Sequence, residues 1–232
     1  MKKTFLLSCL MLAAMPVMAA YTGHVYVDKN KNGVFDQSEK PLAGIKVSDG
    51  LNVVETAADG SFTLPGHERE RFIFITTPSG YKTFNRHYHK IEKKQSGYDF
   101  GLIPYSGRIR KDGSHRYIHI TDTEIFNTEN HADWVNNVRD YARNEQAAFI
   151  IHTGDICYEK GLKAHIKLMN TENMDCPVFY CIGNHDLVKG KYGEELFESI
   201  YGPVYYSFDA GNVHYVVTPM SGGDHAPGYT SD

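Results

Sequence analysis

Short segments of alternating apolar and polar residues, separated by turn residues, fill the chain from residue 21 to 105. Such alternation is typical of strands with one buried face, and no sustained 3.6-residue period interrupts it. We therefore predict an all-β first domain, a β-sandwich over residues 21–105. Asp49-Gly50 and Asp59-Gly60 accept positive φ and are predicted to form hairpin turns. The predicted strands are residues 23–27, 45–47, 53–54, 61–64 and 72–76.

A different pattern, with strands and helices in alternation, begins after residue 113. Strands are predicted at 116–121, 147–152 and 177–182, and helices at 130–146 and 159–170. The helix over 130–146 is expected to bury one face, formed by Val135, Val138, Tyr141 and Ala142. The order is βαβαβ, so the whole chain is predicted to be α+β with two domains, and ligands are expected at the carboxyl ends of the strands.

Polar residues follow each of the three predicted parallel strands. Asp122 and Glu124 come after the first strand, Asp155 follows Gly154 after the second, and Asn184-His185 follows the third, with Asp186 next. Carboxylate, amide and imidazole groups at one sheet edge are the donors that a pair of divalent metal ions needs. This set predicts a metal centre at the carboxyl edge of the sheet.

The motifs at these strand ends, a GD and a GNH followed by an acidic residue, resemble those of the calcineurin-like metallophosphoesterase family over residues 115–218. Within this range, residues 205–217 look like the family's next hairpin. The resemblance implies the first half of an α/β metallophosphoesterase sandwich over residues 113–232. It also implies a phosphate-ester substrate and two divalent metal ions, Mn, Fe, Zn or Mg. The family's later lone histidine and GHxH motif do not occur in these 232 residues. We therefore expect only the N-terminal part of that domain here, inactive by itself.

The same resemblance assigns a role to each matched residue. It makes Asp122 a ligand of the first metal ion, Asp155 the ligand that bridges both ions, and Asn184 a ligand of the second ion. It makes His185 the group that stabilises the transition state or protonates the leaving oxygen, with Asp186 orienting it. His185 and Asp186 are thus the expected catalytic residues.

Two positions depart from the family pattern. Glu124 stands where the family's DxH motif has histidine, so it either ligates a harder ion such as Mn²⁺ or Mg²⁺ or weakens the site. Residues 154–158 also resemble the GDxxY motif of purple acid phosphatases, which makes Tyr158 either an iron ligand or a residue at the rim of the site. His119 and His152 precede the motifs within strands and are expected to be packed core or edge residues.

A second candidate metal site lies in the first domain. Residues 28–39 match the twelve-residue EF-hand calcium loop at positions 1, 3, 5, 6, 9 and 12. Gly33 permits the sharp turn, and the flanks are strand-like. The loop and the following PLAG and VSDG resemble the calcium-binding B-type repeats of bacterial surface proteins; the alternative is an Asn/Asp-rich turn without metal. The candidate calcium ligands are Asp28, Asn30, Asn32, Val34 (through its carbonyl), Asp36 and Glu39.

The N-terminus has the pattern of a secretory signal peptide over residues 1–20. Lys2 and Lys3 precede an apolar run, and small residues follow it at a cleavage position. Too few apolar residues precede Cys9 for a lipidation site, and no transmembrane segment is expected after cleavage. We predict an exported protein, periplasmic or extracellular.

The composition of the chain limits the kinds of partner and cross-link that it can have. With 28 acidic and 24 basic residues the net charge is -4, which argues against nucleic-acid binding by bulk charge. The three cysteines after the signal, Cys157, Cys176 and Cys181, are too few for a disulfide framework. The oligomeric state and the identity of the substrate are left open by the sequence.

Two functions therefore compete on the sequence. The first is an exported metal-dependent phosphoesterase that hydrolyses phosphate mono- or diesters at a dinuclear metal site. The alternative is a secreted, calcium-binding, Ig-like β-module joined to a degenerate phosphoesterase-like domain without catalytic activity.

Overall fold

The computed structural model describes residues 20–67, 69–95, 97–106 and 108–219. Residues 1–19, nearly all of the predicted signal peptide, and residues 220–232, the end of the predicted second domain, lie outside the described residues. A short 3₁₀ turn covers Asn184–Asp186. The strands are β1 Ala20–Val27, β2 Lys40–Pro41, β3 Lys46–Ser48, β4 Val53–Glu55, β5 Ser61–Pro65, β6 Phe72–Ile75, β7 Tyr81–Thr83, β8 Tyr88–Lys90, β9 Phe100–Pro104, β10 Tyr117–Ile120, β11 Phe149–His152, β12 Val178–Tyr180, β13 Tyr206–Ala210 and β14 Val213–Val217, and the helices are α1 Ala132–Asn144, α2 Glu159–Leu168 and α3 Glu195–Tyr201.

The first region, β1 to β9, is built from strands in two sheets. One sheet has the order β2-β1-β9-β7, with β5 also paired to β1, and the other has the order β4-β3-β6-β8. Alternating apolar residues of both sheets meet in one core, as the period-2 pattern requires. The prediction of a β-rich first region is therefore confirmed. Its most deeply buried side chains include Val25, Val47, Leu64, Ile73, Ile75 and Leu102.

The two predicted hairpin turns have different outcomes. At Asp49-Gly50, where Gly50 has a φ of 97°, the chain reverses and β3 pairs with β4 as expected. At Asp59-Gly60 the chain also turns, but β5 pairs with β1, in the other sheet. The prediction of a hairpin at this second turn is wrong because β1 offers β5 a longer antiparallel ladder than the three-residue β4 could.

The second region contains a parallel sheet of order β10-β11-β12, with α1 and α2 as the crossover helices. The predicted βαβαβ order and the hairpin β13–β14 are confirmed. Helix α1 buries Val135 and Ala142, but Tyr141, predicted to share their face, is 60% exposed. Tyr141 lies at the border of the apolar stripe, where a hydroxyl reaches water easily. Helix α3 was not predicted, although it buries Phe197 and Tyr201.

The two regions are joined by polar and backbone contacts. The Arg71 guanidinium on the first region donates two hydrogen bonds, of 3.1 and 2.9 Å, to the Glu198 carboxylate of α3. Tyr192 also donates to Glu198, at 2.7 Å. The Asp209 amide of β13 donates to the Thr77 carbonyl at 2.8 Å. These contacts hold the second region against the two ends of β6.

The three cysteines of the described ranges all lie in the second region, where each is buried or half-buried. Cys157, Cys176 and Cys181 are free, and burial raises the pKa of Cys176 and of Cys181 to about 11, which makes both thiols poor nucleophiles. Among the described helices, none has the length and apolar character needed to cross a bilayer.

Candidate active site at the strand ends

Strained backbone marks the ends of β10 and β11. Asp122, Glu124 and Asp155 have φ values of 53°, 43° and 49°, and they are three of the six non-glycine residues with positive φ in the described ranges. A left-handed conformation costs a residue with a Cβ roughly 1–2 kcal/mol. Such strain persists only where the surrounding fold imposes it, and it concentrates at functional sites. Thus three candidate metal ligands are held in conformations that their own backbone disfavours.

Two glycines allow the loops after β11 and β12 to touch. A Cβ on Gly183 would lie 2.1 Å from the Asp155 amide nitrogen, and a Cβ on Gly154 would lie 2.6 Å from the Gly183 nitrogen. Only glycine fits at either position. The approach lets the His185 amide donate to Asp155 Oδ1 at 3.1 Å. The GD and GNH motifs, distant in sequence, therefore form one corner.

The His185 ring is the centre of the side-chain contacts. Its Nδ1 lies 3.1 Å from Glu124 Oε1 and 3.9 Å from Asp155 Oδ2. The Tyr158 ring stacks on the imidazole with centroids 5.0 Å apart and planes 20° apart. Tyr158 is 48% exposed and precedes α2, so its geometry matches the rim alternative. The structure thus brings Glu124, Asp155 and His185 into direct contact.

Asp186 binds the backbone of the loops after β11 and β12. Its fully buried carboxylate accepts hydrogen bonds from the amides of Gly183, Cys157 and Ile156 at 2.9, 3.0 and 3.3 Å. Burial raises the pKa of Asp186 to about 6, against the opposing effect of these amides. In the described part of the chain, the carboxylates near the His185 ring belong to Glu124, at hydrogen-bond distance, and to Asp155. No hydrogen bond or ion pair between described residues joins the Asp186 carboxylate to the His185 ring, so the orienting role of Asp186 stays a prediction. The carboxylate ties the two loops together.

Asp122 is fixed to the neighbouring strand end rather than to the His185 cluster. Its amide donates to the Gly154 carbonyl at 3.1 Å, and its Oδ2 accepts a hydrogen bond from the Thr121 hydroxyl at 2.5 Å. No hydrogen bond or ion pair between described residues joins its carboxylate to Asp155 or His185. The sequence did not single out Thr121, whose hydroxyl orients this carboxylate.

Two histidines in the strands contact the loops that carry the site residues. His152 is fully buried, with Nε2 2.9 Å from the Thr123 hydroxyl and Nδ1 accepting from the Gly154 amide at 3.2 Å. Burial lowers the pKa of His152 to about 4, so the ring is neutral near pH 7. His119 is exposed on the edge strand β10 and contacts the Thr153 hydroxyl at 2.7 Å. The expectation of core and edge positions is confirmed.

The ligand atoms at this corner are of the chemical types that bind divalent cations. Glu124 and Asp155 supply carboxylate oxygens beside one imidazole, and the Asn184 side chain makes no hydrogen bond with another residue of the described ranges. Carboxylate and amide oxygens are the ligands preferred by Mg²⁺ and Mn²⁺. The predicted site residues therefore form a partly assembled, oxygen-rich donor set.

A further group of carboxylates and imidazole was not predicted from the sequence. Asp49, His67 and Glu70 in the first region have ligand-type atoms within 4.8 Å of one another. Each already has partners: His67 Nε2 lies 3.3 Å from the Asp49 carbonyl, and Glu70 accepts hydrogen bonds from the Tyr21 hydroxyl and the His67 amide. These three residues come together only when the chain folds, so no sequence motif predicts the group.

The candidate calcium ligands lie together in the loop between β1 and β2. Asp28 and Glu39 are buried, Asp36 is half-buried, and Val34 is 59% exposed. Asn30 and Asn32 both donate to the Asp36 carboxylate. The predicted loop therefore closes on itself.

Sequence profiles of one family match both regions. The profile of the N-terminal part of calcineurin-like phosphoesterases matches residues 29–104, and the calcineurin-like phosphoesterase profile matches residues 115–225. The chain belongs to the calcineurin-like phosphoesterase family. Members of this family usually bind divalent metals and hydrolyse phosphoester bonds. No curated protein matches the chain.

Proposed function

We propose that the protein is an exported, metal-dependent phosphoesterase that hydrolyses phosphate mono- or diesters at a centre of two divalent ions. One observation carries the proposal: Glu124 and Asp155, both in strained left-handed backbone, lie beside the His185 ring at one edge of a parallel sheet. Membership of the phosphoesterase family supports the reaction class. The signal-like N-terminal sequence supports export to the periplasm or the extracellular space.

The proposed architecture is a β-sandwich followed by the first half of a phosphoesterase sandwich. The two sheets of the first region, which share one apolar core, support the first part. The parallel sheet β10-β11-β12 and the hairpin β13–β14 support the second. In this architecture the first region holds the second through Arg71 and Glu198.

Asp122, Glu124, Asp155 and Asn184 would hold the metal ions. Bound ions of this kind polarise a phosphoryl oxygen and increase the acidity of water. The protein's contribution is the arrangement of the donors, since Gly154 and the loop contacts place Asp155 beside the GNH turn before any ligand arrives. Pre-organised donors of this kind need little rearrangement on binding.

His185 is proposed to donate the proton to the leaving oxygen. Its Nδ1 faces Glu124 Oε1 at 3.1 Å, so Nε2 is the nitrogen that faces away from this pair and is available to substrate. Glu124 has a second oxygen, and it can therefore position the ring and still act as a ligand. The stacked Tyr158 ring covers one face of the imidazole and limits its rotation.

The direct test compares the wild-type chain with Asp155→Asn. We expect the wild-type chain to bind Mn²⁺, detected by electron paramagnetic resonance, and the variant to bind at least tenfold more weakly, because it loses a carboxylate charge at the corner. Asp140→Asn, an exposed change on α1, is the matched control and should bind like wild type. In the natural protein that carries this sequence, Mn²⁺-dependent hydrolysis of an aryl phosphate monoester or diester should fall at least a hundredfold in Asp155→Asn.

The outcomes separate the proposal from its alternative. Equal Mn²⁺ binding by wild type and Asp155→Asn would contradict the role of Asp155. Absence of both Mn²⁺ binding and hydrolysis in every protein would favour a non-catalytic, secreted calcium-binding module. The Glu124 carboxylate in place of an imidazole is the feature that favours that alternative.

A further inference from the structure

We propose that residues 28–39, which connect β1 to β2, form a Ca²⁺-binding site that stabilises the first region. The site lies outside the candidate active site at the strand ends, which is formed by Asp122, Glu124, Asp155, Asn184 and His185 and is called the strand-end corner below. It is also independent of the hydrolytic function proposed above. Three features carry the inference: the arrangement of oxygen donors, two buried carboxylates without a cationic partner, and a buried hydroxyl without a hydrogen-bond partner beside them.

The donor side chains follow the spacing of an EF-hand loop. Asp28, at the first position, accepts hydrogen bonds from the amides of Asn32 and Gly33 at 3.2 and 2.9 Å. Lys31 and Gly33 have φ values of 59° and 72°, which produce the tight turn that such a loop needs. Glu39, at the twelfth position, returns to the start of the loop and accepts from the Lys29 amide at 2.8 Å.

The two asparagines face the same point as Asp36. Asn30 Nδ2 and Asn32 Nδ2 lie 2.7 and 3.1 Å from Asp36 Oδ2. Their Oδ1 atoms accept hydrogen bonds from backbone amides, Asn30 Oδ1 from Asn32 at 3.2 Å and Asn32 Oδ1 from Val34 at 2.8 Å. The loop thus gathers two side-chain amides around one carboxylate. A cation bound there would replace these hydrogen bonds with bonds to the amide and carboxylate oxygens.

Two carboxylates of the loop are buried without a cationic side chain. Asp28 is 1% exposed and Glu39 is 7% exposed. Both carboxylates accept hydrogen bonds from backbone amides. None of the ion pairs within the described ranges includes Asp28, Asp36 or Glu39. Burying a charge is costly unless an opposite charge accompanies it. A divalent cation supplies that charge.

The buried hydroxyl belongs to Tyr26. The residue is fully buried, and its oxygen has no hydrogen-bond partner in the described part of the chain. A Cβ at Gly101 would lie 3.0 Å from Asp28 Oδ2 and 3.2 Å from the Tyr26 oxygen, so both oxygens lie close to the same glycine of β9. A water in the shell of a bound cation would give this hydroxyl its missing partner.

The position of the loop explains why a cation there would stabilise the first region. Phe35 packs on the Tyr26 ring with centroids 4.9 Å apart, which anchors the middle of the loop to β1. Strand β1 pairs with β2, β5 and β9, so it is central to its sheet. A cation that joins Asp28 to Glu39 would hold the β1–β2 connection closed. Two asparagines in place of aspartates keep the ligand charge modest, which suits a dissociation constant of about 10⁻⁴–10⁻³ M.

Calorimetric titration with Ca²⁺ tests the site in the full chain. The Asp155→Asn background weakens cation binding at the strand-end corner and so reduces its contribution to the heat. We expect one Ca²⁺ per chain and a rise in melting temperature of about 3–6 °C at ten times the dissociation constant. Glu39→Gln should weaken binding at least tenfold, whereas Glu55→Gln, the same change at an exposed carboxylate of β4, should leave it unchanged.

A gain-of-affinity variant guards against loss of folding in Glu39→Gln. Asn32 is exposed, and Asn32→Asp adds a fourth carboxylate to the loop. We expect it to bind Ca²⁺ about five- to tenfold more tightly than the parent chain. NaCl of equal ionic strength controls for screening. Folded protein without heat or thermal shift at 10 mM Ca²⁺, or equal affinities of Asn32→Asp and its parent, would overturn the proposal.

Discussion

The two candidate cation sites are built in opposite ways. The loop of residues 28–39 draws its donors from twelve consecutive residues, and its backbone amides already satisfy Asp28 and Glu39. The strand-end corner draws its donors from three loops between Asp122 and His185 and holds Asp122, Glu124 and Asp155 in left-handed backbone. One site is local and has a single non-glycine residue, Lys31, in left-handed backbone, whereas the other is assembled by the sheet and has three such residues.

The difference shows where each site obtains its stability. A local loop can form with little help from the rest of the fold, since its hydrogen bonds span ten residues or fewer. The strand-end corner depends on the parallel sheet, on Gly154 and Gly183, and on the buried Asp186. Damage to the second region should therefore disturb the corner and spare the loop.

Removal of the Asp186 carboxylate is expected to have the largest effect that distinguishes the two sites. Asp186→Ala leaves three amides without their acceptor in a buried place, so we expect a loss of about 3 kcal/mol in the free energy of unfolding. Urea denaturation measures the loss. Mn²⁺ binding should weaken while the Ca²⁺ response of the loop persists.

The control for this change is Asp140→Ala on the exposed face of α1, which should lose less than about 0.5 kcal/mol. Equal stability of Asp186→Ala and wild type would show that the amides find water instead. A parallel loss of the Ca²⁺ response would show that the two regions unfold as one unit.

The contact between the regions can be weakened at Arg71. Arg71→Met leaves the Glu198 carboxylate, 2% exposed, with the Tyr192 hydroxyl as a remaining partner, at a cost of about 2 kcal/mol. We expect differential scanning calorimetry to resolve two transitions, of which Ca²⁺ raises only the first region's. Lys46→Met, which breaks an exposed pair with Glu55, is the control. A single cooperative transition in Arg71→Met would mean that other contacts couple the regions.

The smallest expected effect concerns the core of the second region at acid pH. Burial keeps the pKa of His165 well below its ordinary 6.5, so the ring is neutral in the folded state. The unfolded chain takes up a proton near pH 6.5, hence stability is full above that pH and falls as the pH decreases toward the folded-state pKa. The loss is about 1.4 kcal/mol for each pH unit in that range.

His165→Phe should remove this slope, as urea melts at pH 7.5 and 5.5 would show. Tyr201, whose hydroxyl lies 3.0 Å from His165 Nδ1, also donates to the Leu162 carbonyl and stays satisfied in the variant. His214→Phe, at an exposed ring, is the control and should keep the parent's slope. An unchanged acid sensitivity in His165→Phe would assign the effect to other groups, such as His152.

Much of the fold followed from local patterns. Strand alternation predicted β1, β3 and β5, and the 3.6-residue period predicted α1 and α2 to within a few residues. The predictions that failed concern which elements pair or pack with one another. The pairing of β5 with β1 and the packing of α3 depend on residues far away in sequence, which no window along the chain contains.

The site divides in the same manner. The motifs predicted that Asp155 and the GNH turn lie together, since parallel strands end at one sheet edge. They did not predict that Glu124 contacts His185, that Tyr158 stacks on it, or that Asp186 binds backbone amides. Such contacts depend on the path of each loop, which the close approach of Gly154 and Gly183 sets.

The amino-acid sequence by itself determined the order of the strands and helices, the inventory of donors after each parallel strand and the twelve-residue oxygen-rich loop, because these depend on spacing along the chain. Tertiary structure decided which strands pair, which carboxylate reaches His185, and that Asp28, Glu39 and Tyr26 are buried beside one another. The physical reason is that burial and pairing are properties of the whole packed chain, in which residues far apart in sequence exclude water from each other.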